Sequence, residues 1–242
     1  MGLLNENKLK IEYDIIYNMD SGIEKNIYDL RYRYVKRKKN VKFNVDFNLI
    51  KKEDYKRIIK KFQRLINRLI KDNNYIFNII IYIYNYDKED IKQVWFIDAI
   101  HAIMKLNKKD MYNFIYDNVC DYLDVFFINN NVCNFENNKC GEKVNTSSDV
   151  GCCRHFKYKK FGPLLLNNKL IVCEYLKDKR CSAKCISCKL FTCEYIKKKG
   201  ITFKMKDMFL IDTFFNPIQK YFIKYKVFTP KEEIMKLLLR FG

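Results

Sequence analysis

Residues 28–49, YDLRYRYVKRKKNVKFNVDFNL, and the stretch that follows, residues 51–71, KKEDYKRIIKKFQRLINRLIK, decide the fold class. The first alternates apolar and polar residues twice, through Leu30, Tyr32 and Tyr34 and again through Val41, Phe43, Val45 and Phe47, with the polar Lys36–Asn40 run between them. A period of two is the signature of a half-buried strand, and two such runs about a polar turn predict a β-hairpin. In the second stretch the period changes. Tyr55, Ile58, Ile59, Phe62, Leu65, Ile66, Leu69 and Ile70 gather on one helical face, with Lys56, Lys60, Arg64 and Arg68 at i, i+4 on the other. A hairpin beside an amphipathic helix predicts an α+β chain.

Further along, residues 89–106 and 109–128 read as two more helices, the second halted by the Asn-rich breaker Asn129–Asn131. The last residues place Thr229 as an N-cap, Pro230 at the first helical position and Lys231–Arg240 as a terminal helix. The apolar run Tyr75–Tyr86, YIFNIIIYIYNY, is interrupted by Asn78 and Asn85 and is too short for the ~20 residues a membrane-spanning helix needs. It reads as a buried strand or helix, and no transmembrane segment is expected. Residues 1–12 lack the plan of a secretory signal, so the expected location is the cytoplasm.

The composition, 48% hydrophobic over 242 residues, suffices for a sizeable core and argues against disorder. A formal charge of +19 would draw the chain towards nucleic acid or an anionic surface, although the abundance of Lys, Asn, Ile, Tyr and Phe is also what AT-rich codons produce. The basic face at Lys56, Lys60, Arg64 and Arg68, with Lys36–Lys39, is therefore either a contact with phosphates or the ordinary solvated surface of an amphipathic helix.

Nine of the ten cysteines follow the Asn-rich breaker: Cys133, Cys140, Cys152, Cys153, Cys173, Cys181, Cys185, Cys188 and Cys193, with His155 beside them. In a reducing compartment such density points to metal rather than to disulfides. Spacings such as the C-x3-C-x2-C of Cys181, Cys185 and Cys188 let thiolates turn towards one ion at little loop-closure cost. Lys177, Lys179, Arg180, Lys184 and Lys189 would lower the thiol pKa values and offset the charge of the site. The donor set suits zinc or an iron–sulfur cluster. It divides the chain into residues 1–130, an α+β region of undefined role, and residues 131–242, a cysteine-cluster, metal-stapled segment with a helical tail. Cys120, within a helix, reads as a small buried thiol.

Taken together, Gly151-Cys152-Cys153, then Cys173-Glu-Tyr-Leu, Cys181-Ser, and Cys188-Lys-Leu-Phe-Thr-Cys193 resemble the YkgJ-type cysteine-cluster proteins, described as zinc- or iron-chelating. The cluster region of flagellin lysine methylases is similar to these. The resemblance spans about residues 133–193 and implies Cys152, Cys153, Cys173, Cys181, Cys188 and Cys193 as ligands. Cys133 and Cys140 are loose counterparts of an early pair, and Cys185 is additional. It brings in a third possibility, an iron–sulfur enzyme such as a protein methylase. The C-x3-C-x2-C spacing is also that of radical S-adenosylmethionine enzymes, but it comes too late for their barrel to follow.

Two smaller groupings remain. His101, near Trp95 and Asp98, offers acid–base chemistry or a hydrogen-bonded core histidine. Asp117, Asp121 and Asp124 share one helical face and offer a cation site or a solvated acidic face. Neither a P-loop, a dinucleotide fingerprint, a His-Glu-x-x-His pair nor a nucleophile elbow occurs, so the sequence assigns no enzyme class.

Overall fold

The computed structural model describes residues 11–17, 32–35, 38–71, 76–130, 132, 135–136, 139–140, 176–177, 180–181, 184–192, 194–227 and 229–242. These form a mainly helical α+β chain that divides into two compact units between Lys105 and Leu106. The division falls ahead of the helix Lys108–Asn129, whereas the sequence set it after that helix, at residue 130. The cause is packing: that helix buries its apolar face against the C-terminal helices.

Unit 1 contains β1 (Ile11–Tyr17), β2 (Tyr32–Val35), β3 (Lys38–Asp46), α1 (Tyr55–Lys71), β4 (Ile76–Tyr84) and α2 (Ile91–Ile103). Its sheet has the order β1-β4-β3-β2. Here the expected hairpin forms, but over a shorter span, and β3 gains a second neighbour on its other edge. The alternating run Val41, Phe43, Val45, Phe47 is laid alongside β4 in parallel, with Val41 opposite Ile79 and Phe43 opposite Ile81, and β1 pairs with the other edge of β4, also in parallel. Among the described residues of unit 1, the antiparallel pairing joins Tyr32–Val35 to Lys38–Val41. The physical reason lies in α1, which is long enough to carry the chain back over the sheet between β3 and β4, the crossover that parallel strands require.

The run Tyr75–Tyr86 thus supplies the strand between two parallel neighbours. That position explains its near-continuous apolarity. Phe77, Ile79, Ile81 and Ile83 are buried on the same side as Val41, Phe43 and Val45, while Asn78, Ile80, Tyr82 and Tyr84 on the other side are half-buried. The covered face meets Ile58, Ile59, Phe62 and Ile66 of α1 and Phe96 and Ile100 of α2. Aromatic contacts set its details: Phe43 and Phe62 have ring centroids 4.8 Å apart, and Phe47, Tyr55 and Phe96 form an edge-on trio. Asp90 caps α2 by accepting from Lys92 N at 3.0 Å and pairs with Lys52 at 2.5 Å.

Unit 2 is built on α3 (Lys108–Asn129), capped by Asn107, whose side chain accepts from Asp110 N at 2.7 Å. Two short hairpins follow, β5 (Phe135–Glu136) with β6 (Lys139–Cys140) and β7 (Leu176–Lys177) with β8 (Arg180–Cys181). Then come α4 (Ile186–Lys189), α5 (Glu194–Lys198), α6 (Phe209–Phe214), α7 (Pro217–Tyr225) and α8 (Lys231–Arg240). Tyr112, Ile115, Tyr116, Val119 and Leu123 of α3 are buried with Leu210, Ile211, Phe215, Ile223, Ile234 and Leu238.

Asn216 and Gln219 form a reciprocal capping box at the start of α7, with Pro217 at the first position. The Gln219 side chain, itself buried, donates to Tyr112 Oη at 3.1 Å and to the carbonyl of Leu238 at 2.7 Å, joining α3, α7 and α8. At α8 the cap differs from expectation by one residue. Pro230 is extended (ψ 151°) and stands outside the helix, and Thr229 Oγ1 donates to Val227 O at 3.2 Å instead of capping.

Candidate functional site

The C-terminal part of the cysteine segment is held on α3 by a row of ion pairs. Asp117, Asp121 and Asp124 recur at i+4 and i+3, so α3 presents their carboxylates along one face. Lys184 reaches Asp117 at 3.3 Å and Asp121 at 3.5 Å, Lys231 reaches Asp117 at 2.7 Å, and Lys189 pairs with Asp124. The acidic row is therefore paired with lysines, Asp117 and Asp124 partly buried and Asp121 still 64% exposed. Burial opposes the Lys184 ammonium, but Asp117 and Asp121 outweigh it and hold its pKa above the usual value.

Backbone bonds complete the attachment. Lys184 adopts a positive φ of 48°, uncommon for a residue with a side chain, and its carbonyl accepts the Cys120 thiol at 3.2 Å. Ile186 N donates to Tyr116 Oη at 3.2 Å, and Ser187 Oγ donates to the Ile223 carbonyl. The short helix α4 is consequently seated on both α3 and α7.

Three of the thiols sit in this region. Cys185, at the N-cap of α4, is 1% exposed with its Sγ 3.6 Å from Lys226 O, and Cys188 is half-buried. Cys120 is fully buried, and burial pushes its thiol well above the ordinary pKa. All three thiols lie near Tyr116 and, after burial itself, add to the rise of its phenol pKa. Cys120 is thus core, as its helical position suggested, yet shares a neighbourhood with Cys185 and Cys188. No local sequence signal joins residues this far apart.

Of the other residues the sequence singled out, Cys140 and Cys181 close the second strands of the two hairpins, opposite Phe135 and Leu176. Cys133, Cys152, Cys153, His155, Cys173 and Cys193 lie outside the described residues. Among the described residues no three His, Cys, Asp or Glu side chains converge as metal ligands.

In unit 1, Lys60, Arg64 and Arg68 are exposed on α1 and Lys56 is half-buried. The helix holds no acidic residue. His101 is half-buried on α2, where burial and then Lys105 lower its pKa, and Asp98, one turn before it, is raised by burial to about 6. A neutral imidazole and a reluctant carboxylate on a core-facing helix suit packing.

A groove in unit 2 escaped the sequence reading. It encloses about 780 Å³ between α4, α7 and the segment after α5, and is lined by Phe191, Phe203, Tyr221 and Tyr225 together with Lys197, Lys204, Lys220 and Lys224. Its only legible sequence signal is the i, i+4 pair Tyr221 and Tyr225, which an amphipathic helix ordinarily buries and which here stand 59% and 55% exposed. No helix among the described residues is long and apolar enough to cross a membrane. No protein-family model, curated protein or solved structure matches the chain, so the sequence and the geometry above are the whole basis for assigning a function.

Proposed function

We propose that the chain is a metal-binding protein of the cysteine-cluster type, holding zinc or an iron–sulfur cluster with thiolates from Cys133, Cys140, Cys152, Cys153, Cys173, Cys181, Cys185, Cys188 and Cys193, and with His155 as a further donor. The observation that carries this is the concentration of nine cysteines between residues 133 and 193. Thiolate sulfur suits both metals, and close spacing keeps the entropic cost of assembling the site low.

Two further features support it. Cys140 and Cys181 each end the second strand of a two-stranded hairpin, with another cysteine, Cys133 or Cys173, shortly before the first strand. The lysine clamp ties the last part of the segment to α3, leaving the remainder to be stapled by metal. Within the Cys185/Cys188 pair, Cys188 is the more accessible donor, because Cys185 is buried against a carbonyl. The partial similarity to YkgJ-type proteins agrees, and a reducing compartment such as the cytoplasm would keep the thiols available.

The test is anaerobic purification with metal analysis and a visible spectrum, alongside a variant with Cys181, Cys185 and Cys188 changed to Ser. Stoichiometric zinc in a colourless protein supports a structural site. Iron and sulfide with broad absorbance near ~400 nm support a cluster and direct attention to enzyme activity. Absence of metal from the wild type would overturn the proposal.

A second reading, nucleic-acid binding along α1, is favoured by the exposed Lys60, Arg64 and Arg68 on a helix with no acidic residue. Replacing these three with Ala should flatten the dependence of binding on salt by roughly one log unit per lost phosphate contact.

A further inference from the structure

The unit 2 groove combines cations and aromatic faces in a way the fold does not require. Tyr221 and Tyr225 lie on one face of α7 with ring centroids 4.8 Å apart, and the Lys224 ammonium lies 4.9 Å from the centroid of Tyr225. Phe203, on the opposite wall, is fixed by packing on Phe126 and Phe127 at 5.3 and 5.4 Å. Lys220 is committed to Asp212 at 2.5 Å. Lys197, Lys204 and Lys224 are exposed, and no carboxylate lines the groove among the described residues.

We propose that this groove binds a segment of single-stranded nucleic acid, with bases stacked on Tyr221 and Tyr225 and phosphates held by Lys197, Lys204 and Lys224. An acidic peptide would satisfy the lysines but leave the exposed rings in water. A neutral apolar ligand would cover the rings and leave the cations unpaired. A single strand presents both requirements in alternation, a charged phosphate and a flat π face per nucleotide, and each base face accepts an aromatic platform. A duplex hides those faces within its stack. The inference rests on neither the metal reading nor the α1 face.

The experiment is fluorescence anisotropy of a labelled 15-nucleotide oligouridine with the full chain as purified at several salt concentrations. The variants are Tyr221→Ala, Tyr225→Ala, Tyr221→Trp, a Lys197→Ala/Lys204→Ala/Lys224→Ala triple and, as the separate control, Lys60→Ala/Arg64→Ala/Arg68→Ala. Each Tyr→Ala change should weaken binding by about 5–100-fold while Tyr221→Trp retains it. The groove triple should lower the salt slope by roughly two. Both tyrosines are mostly solvated, so these variants should keep the wild-type circular dichroism. Four outcomes would overturn the inference: no binding by the wild type, unchanged binding in both Tyr→Ala variants, equal competition by a duplex or by polyglutamate, or uridine monophosphate competing as well per nucleotide as the strand. Loss of binding only in the α1 control would move the contact to unit 1 and equally refute the groove.

Discussion

Removing the carboxylate of Asp124 isolates the contribution of the lysine clamp. The side chain of Lys189 is 6% exposed and that of Asp124 21%, so this pair is the most buried of those joining the cysteine segment to α3. Taking one partner from a fully buried pair typically costs about 3–5 kcal/mol, because the other charge is left without compensation. Asp124 keeps a fifth of its surface in water, which screens part of that, so Asp124→Ala should cost about 2–3 kcal/mol. For a unit of this size the melting temperature should fall by roughly 6–12 °C. Lys189→Met alone should cost less, since it leaves the more exposed member. With Asp124→Leu as the matching single change, the double variant Lys189→Met/Asp124→Leu replaces the pair by apolar groups of similar volume and should return to within about 1 kcal/mol of the wild type, with a coupling energy of about 2 kcal/mol. Urea unfolding read by circular dichroism gives the energies, and hydrogen exchange on peptides from α3 and α4 shows where protection is lost. A cost below about 0.5 kcal/mol for Asp124→Ala, or strict additivity of the two single changes, would mean that the ion pair is not what holds the segment down.

Asp98 gives a pH dependence of defined sign. Its folded pKa of about 6 exceeds the ordinary 3.8, so the stability it contributes is fully present below about pH 4 and is lost as the pH rises through about 6. Asp98→Asn should therefore stabilise unit 1 at pH 7, on the order of 2 kcal/mol after allowance for partial solvation, and show no gain near pH 4. Trp95, the only tryptophan in the chain and a member of the same helix, reports that transition by fluorescence. Equal effects at both pH values would refute the assignment. Cys120, buried with a raised thiol pKa, should resist iodoacetamide at pH 8 in the native protein and react in urea; native labelling at the rate of a free cysteine would contradict its burial. Gln219→Ala breaks the capping box and both donations that join α3, α7 and α8, and should cost about 2–3 kcal/mol, against about 1 kcal/mol or less for Tyr112→Phe. Thermal denaturation would separate these two, and similar losses would place the energy elsewhere.

Much of the secondary structure could be read directly. The period of 3.6 in Tyr55–Lys71 gives α1, with its basic face outward, and the helices at Ile91–Ile103, Lys108–Asn129 and Lys231–Arg240 lie within a few residues of their expected limits. The Asn216-Pro217-x-Gln219 capping box went unread, although an Asn followed three residues later by Gln is its local signal. Asn107 similarly marks the start of α3. The candidate site was legible only in part. Cysteine spacing expresses the cost of closing short loops, and that cost is a property of the chain itself.

The sequence by itself determined that α1, α2, α3 and α8 are helical, that Val41–Phe47 is extended with one apolar face, and that a cysteine-dense stretch follows α3, because each depends on spacings of a few residues, whereas it left Tyr75–Tyr86 open between strand and helix. Tertiary structure decided the partners. Alternation in Val41–Phe47 selects a strand with one buried face, but it is equally compatible with either strand direction, and the parallel choice came from the passage of α1 back across the sheet. The period of Asp117, Asp121 and Asp124 fixes a common face, yet only packing between residues more than sixty positions apart selects Lys184, Lys189 and Lys231 as their counterions. The same holds for Cys120 beneath Lys184 and for the tyrosines of the groove: local pattern sets orientation on an element, whereas long-range contact depends on how the elements fill space together.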